Sequence, residues 1–168
     1  GVVLRLRNLG VEAAADWEEL AGLAARAQRV WEAHLVDPST SELMDLASGD
    51  PAHVVKIALA ETLRALGGAA DPRAADGVEV EVSSELPVGS GFGSSASVAV
   101  AVAGALAVLL EGARDDAVIE RVALEAERRQ HGTPSGVDHG TVLRGGVLWM
   151  QPDGEGGVHP ILRVPNAL

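Results

Sequence analysis

Pro87-Val88-Gly89-Ser90-Gly91-Phe92-Gly93-Ser94-Ser95-Ala96-Ser97 joins an alternating segment, Val78-Glu79-Val80-Glu81-Val82, to an uncharged apolar run that reaches Leu110. The alternation predicts a strand with one wet face, and the apolar run predicts a buried helix. Glycines at 89, 91 and 93 let the backbone between them turn tightly and approach a ligand, and Ser94 and Ser95 stand where the helix begins. Free amides, the positive end of a helix dipole and two hydroxyls make a cradle for a phosphate or a hydrated cation. A strand-to-helix turn with N-capping serines explains the same residues without a ligand.

Two familiar phosphate loops are excluded. No Gly-Lys-Ser/Thr ending is present, so this is not a Walker A loop. The glycines are too closely spaced for a dinucleotide fingerprint, and no acidic residue follows at the required distance.

Composition narrows the ligand class. At 168 residues, 47% of them hydrophobic, the chain reads as a single globular domain over 1–168. With three Trp, one Phe and no Tyr, its core is built from Ala, Val and Leu. A formal charge of −11 argues against nucleic acid or an anionic membrane as partner. Lys56 is the sole lysine, so a bound phosphate would rely on backbone dipoles and metal. The absence of cysteine rules out disulfides and thiolate chemistry and fits a cytoplasmic setting. Residues 96–110 carry no charge but fall short of the roughly 20 residues of a spanning helix.

Upstream, Val2–Leu9 reads as a half-buried strand, and Glu12–Leu35 shows helical spacing with Asp16 as cap before Trp17. Trp17 and Trp31 are expected to face the core. Asp50-Pro51 opens a further helix that Gly67-Gly68 ends. Lys56 lies in that helix and reads as a solvated side chain. Downstream, a helix from Asp115 or Asp116 runs to about Gln130, and Gly145–Met150 with Val158–Val164 suggests a hairpin around 153–157.

Glu127 and Asp138 form a second constellation across a helix end and the loop His131-Gly132-Thr133-Pro134-Ser135-Gly136-Val137-Asp138. A carboxylate in a helix's last turn opposes the dipole, and a divalent cation would compensate it. The plainer role is a surface glutamate paired with Arg128 or an i+4 neighbour. Asp138, between glycines 136 and 140, suits a carboxylate held at a fixed angle or an Asx-turn.

The first loop closely resembles the second motif of the galacto-, homoserine, mevalonate and phosphomevalonate (GHMP) kinases. Glu127 with His131–Asp138 is similar to the mevalonate kinase branch. Over about Val78–Met150 the resemblance implies an α/β (α+β) fold of the ribosomal protein S5 domain 2 type. Pro87, Gly89, Gly91, Gly93, Ser94, Ser95 and Ala96 would then hold ATP. Ser95 and Glu127 would ligate Mg²⁺, and Asp138 would act as base toward the C5 hydroxyl of mevalonate, with a sugar, homoserine or phosphomevalonate as other acceptors. The family's N-terminal lysine motif and C-terminal glycine-rich motif have no counterpart here. The chain therefore resembles the middle of such an enzyme, with its first strands and C-terminal domain cut away; alone it is expected to be weakly active or a non-catalytic nucleotide-binding module. A homodimer is a further expectation.

Overall fold

The computed structural model describes residues 1–67, 77–87, 89, 91–152 and 158–164. The fold mixes helices and sheet. A three-stranded sheet has the order β2-β1-β3, formed by β1 (Val2–Leu6), β2 (Val11–Ala15) and β3 (Val78–Val82). β1 runs antiparallel to β2 and parallel to β3, pairing Val2 with Val78 and Leu6 with Val82. The period of two puts Val2, Leu4 and Leu6 in the core. It leaves Arg5 and Arg7 on the outer face, in ion pairs with Glu79 and Glu81 of β3.

β2 departs from the sequence expectation, which placed residues 12–15 in the helical segment. Val11-Glu12-Ala13-Ala14-Ala15 has good helix formers, but Arg7–Leu9 forms a 3₁₀ turn and Gly10, at φ +62°, reverses the chain onto the edge of β1. Tertiary pairing overrides local propensity there. The helix α1 (Trp17–Val36) then starts at the expected cap: Glu19 N donates to Asp16 Oδ1, and Asp16 N donates to Glu19 Oε2.

After α2 (Glu42–Ser48), α3 (His53–Ala65) begins two residues beyond Pro51, with Asp50 accepting from Ala52 N at 2.8 Å. α4 (Ser94–Glu111) and α5 (Asp116–His131) pack against α3. Small residues permit this closeness: Ala96, Ala99, Ala103, Ala107, Ala123 and Ala126 are buried. Of the described helices, α4 alone is long and apolar enough to cross a membrane by length and composition. Its Ala96, Ala99, Val102, Ala103, Leu106 face is buried, as in a core helix.

The second loop is shorter than its sequence suggested, because Val137–Arg144 forms α6. Gly136, at φ +88°, turns the chain into this helix, and Gly140 N donates to Gly136 O at 3.2 Å. β4 (Val147–Pro152) and β5 (Val158–Val164) make the expected hairpin, whose turn at 153–157 lies outside the described residues. Val147, Trp149 and Leu162 are exposed on it.

Candidate functional site

The carboxyl ends of the parallel pair β1 and β3, the glycine loop and the start of α3 enclose a cavity of about 780 Å³. Ligand crevices of α/β sheets form at strand ends of this kind. Beyond the strands, Asn8 Nδ2 donates to Ser84 O at 2.5 Å and Ser84 N donates to Asn8 Oδ1 at 2.7 Å, which keeps the two chain exits together. Gly89, Gly91 and Gly93 line the cavity, with φ of +71°, +77° and +69°. No neighbouring atom would obstruct a Cβ at 89 or 91, so backbone conformation accounts for glycine there. Val88 and Ser90 lie outside the described residues.

Gly93 is the N-cap of α4, and no side chain caps the helix. The capping role open to Ser94 and Ser95 is therefore unfilled, and both serines line the cavity instead. Ala96, expected at the ligand, has its side chain buried in the core, where it pins the first turn of α4; only its backbone is left to serve a ligand. Pro87 stands at the loop entrance and is not part of the cavity wall.

Glu127 is only 2% exposed, so the surface-glutamate reading does not hold. Ser95 Oγ donates to its Oε1 at 2.7 Å. His131 Nε2 lies 3.3 Å from Ser95 Oγ and 3.9 Å from Glu127 Oε2. Burial raises the Glu127 carboxyl above its ordinary range, and Asp138 adds to this, against the lowering by the Ser95 hydroxyl and His131. A carboxylate and a hydroxyl are hard oxygen ligands, and a buried carboxylate without a close fixed cation suits a divalent one. No group of three or more His, Asp or Glu assembles a metal cage among the described residues. The pair fits Mg²⁺, which takes one or two protein ligands and completes its shell with water and phosphate.

Asp138, in the first turn of α6, comes to the end of the glycine loop where α4 begins. A Cβ built on Gly93 would stand 3.8 Å from Asp138 Cβ and 3.9 Å from its Cγ. The two sequence motifs, 45 residues apart, are thus packed against each other at one cavity wall.

The cavity is also lined by residues expected to have no part in a site. His53 is 2% exposed and lines the cavity. Neither of its ring nitrogens has a partner at hydrogen-bond geometry, though the Arg129 backbone is near enough to oppose in part the lowering of its pKa by burial. Asp50 lies beside it. Burial would raise the Asp50 carboxyl, but Lys56 Nζ at 2.6 Å and the Ala52 amide hold it below its ordinary range. Lys56 is accordingly a part-buried ion-pair partner, not a solvated side chain. Neither lysine nor arginine contributes to the cavity wall among the described residues.

A sequence model of the GHMP kinases N terminal domain matches residues 53–146, more than half of the chain. The chain belongs to the GHMP kinase family. In GHMP kinase terms, the match takes in both motifs and the helices α3 to α6 that carry them. Among solved structures, the chain is similar to mevalonate kinase from Methanococcus jannaschii, with a TM-score of 0.71 and 18% identity over 96% of this chain and 42% of that one. A second mevalonate kinase structure is similar with a TM-score of 0.66 and 19% identity, over 88% of this chain and 39% of the other. At such identities the likeness is one of fold. The chain spans about two fifths of the length of these kinases. No curated protein matches it.

Proposed function

We propose that this GHMP kinase domain binds ATP and orients a small alcohol for phosphorylation, with the C5 hydroxyl of mevalonate as acceptor. The observation that carries the reading is the packing of Asp138 on Gly93, because it sets a carboxylate beside the loop proposed to hold the phosphates. Gly89, Gly91 and Gly93 let the backbone approach the phosphates, and Ser94 adds a hydroxyl next to them. Ser95 and Glu127 would hold Mg²⁺, which when bound neutralises charge on the phosphates. His53 and the apolar wall of Val54, Val82 and Val98 leave room for the remainder of the nucleotide.

In the transfer, the acceptor oxygen forms a bond to the γ-phosphorus as the bond to the β,γ-bridging oxygen breaks and ADP leaves. The acceptor proton passes to the Asp138 carboxylate. Positioning and charge neutralisation supply most of the rate in phosphoryl transfer, and a well-placed base adds about 10²- to 10⁴-fold.

The test is ATP turnover by the full-length protein against a panel of alcohols: mevalonate, phosphomevalonate, homoserine and galactose. Mevalonate should be preferred. Asp138→Asn should abolish transfer and leave nucleotide binding nearly intact; normal turnover by that variant removes Asp138 from the reaction. A second reading, a nucleotide-binding module that is inactive by itself, is favoured by the lack of lysine and arginine among the described residues of the cavity wall. Residues 1–168 assayed alone, with calorimetry of ATP binding alongside, separate the two.

A further inference from the structure

The loop between Glu127 and Asp138 is held from behind by α1, which lies outside the residues matched by the family. Trp31 Nε1 donates to the Gly132 carbonyl at 2.7 Å across 101 residues of sequence. One turn away, His34 packs on the same glycine so closely that a Cβ there would meet His34 Nε2 at 2.8 Å. One turn in the other direction, Gln28 accepts a hydrogen bond from the buried Arg129. Residues 28, 31 and 34 fall on one stripe of α1. The guanidinium carbons of Arg128 and Arg129 lie 5.4 and 5.9 Å from the centre of the Trp31 ring, within cation–π range.

These contacts converge on a segment whose backbone bonds lie at its start, Gly132 N donating to Arg128 O at 2.8 Å and Thr133 N to His131 O at 3.1 Å. Gly132 sits at φ +82° and ψ −73°, where α5 ends, and the next turn of regular backbone begins only at Val137. His131 on one side of Gly132 touches Ser95, and Asp138 beyond it touches the glycine loop. The direction in which the chain leaves α5 therefore sets the separation of the two carboxylates.

We propose that Trp31 is a positioning residue for phosphoryl transfer: its indole N–H fixes the Gly132 carbonyl, and through it the loop that delivers Asp138 to the glycine loop. The proposal rests on the kinase reading for its catalytic consequence, but the bracing can be measured without it. Trp31→Phe keeps an aromatic ring under Arg128 and Arg129 and removes the donor together with part of the indole's bulk.

In the full-length protein, amide hydrogen exchange at Gly132 and Thr133 should accelerate by about fivefold in Trp31→Phe, the effect of losing one hydrogen bond. Exchange in α3 and β3 should not change. With the preferred alcohol, kcat should fall about tenfold while KM for ATP stays within about twofold, because the orientation of the base is disturbed and the nucleotide loop is not. Unchanged exchange at 132–133 overturns the brace. Equal acceleration throughout the fold, or a loosened loop with undiminished kcat, reduces Trp31 to a structural residue and overturns its positioning role. If wild-type protein phosphorylates none of the alcohols, the kinase reading fails by that result, and the exchange experiment still decides the brace.

Discussion

Ser95 Oγ donates to Glu127 Oε1 at 2.7 Å, joining the first turn of α4 to the C-terminal part of α5 through a carboxylate that is almost entirely buried. A buried glutamate at the negative end of its own helix is an unfavourable place for charge. That cost gives the pair its proposed use as a metal site.

Glu127→Gln should make the metal-free protein more stable at neutral pH. The folded-state pKa of Glu127 lies above the ordinary 4.5, so the folded protein binds the proton more tightly than the unfolded chain does. Stability is therefore lost as pH rises above 4.5 toward the folded value, and the penalty is complete above it. Glutamine removes the charge while its amide oxygen can still accept from Ser95. Thermal melts at pH 7.5 without metal should give a higher Tm for the variant, and calorimetry with Mg²⁺ and ATP should give weaker binding. A lower Tm combined with unchanged binding would contradict both parts.

His53 should make the protein acid-sensitive in a separate window. Burial lowers its pKa below the ordinary 6.5, partly offset by the Arg129 backbone and Asp50. The unfolded chain then takes up the proton first, so the contribution is fully present above pH 6.5 and is lost as pH falls below it. His139 is lowered in the same direction, again chiefly by burial, and adds to the effect. Denaturant midpoints at pH 7.5 and 5.5 should differ less in His53→Gln than in wild type; an equal difference would show that the ring does not titrate with unfolding.

Arg129→Met should be among the most damaging single changes in the domain. Arg129 is 1% exposed and meets Glu125 Oε2 at 2.5 Å and Glu61 Oε1 at 3.3 Å, and Glu61 is itself buried. Removing the cation leaves Glu61 with Arg64 and Glu125 with Arg128 as remaining partners, so the loss should be about 3 kcal/mol, the low end for a broken buried pair. Urea unfolding measures the loss, and adding Glu61→Gln should recover part of it because the two residues share one network.

Gly132→Ala should cost about 1–3 kcal/mol from backbone strain, with added crowding against His34. His34→Ala in the same chain should recover the crowding component and leave the strain. Chemical denaturation of the two single variants and the double variant separates the two contributions; strict additivity would show that the side chains do not meet.

Much of this was legible in the residues. Val78–Val82 alternates and is β3, and the residues after Gly93 are α4, because each pattern matches the period of its element and no tertiary contact contests it. Residues 11–15 were not legible: Glu12 followed by three alanines has the local preference of a helix, and only pairing with β1 makes it a strand. The site divides similarly. The glycines, Ser94, Ser95, Glu127 and Asp138 stand out by composition and spacing, whereas His53, Asn8 and Trp31 sit in unremarkable surroundings and gain their positions from contacts with chain far away in sequence.

The amino-acid order alone determined where glycine was required, which residues could carry charge or a hydroxyl to a phosphate, and that no cysteine chemistry was available, since these follow from residue type and local spacing. Only the tertiary structure decided that Glu127 is buried against Ser95, that Asp138 rests on Gly93, and that α1 holds the loop between them. Burial and long-range hydrogen bonds are properties of surfaces brought together. No single segment carries them until the helices have packed on the sheet.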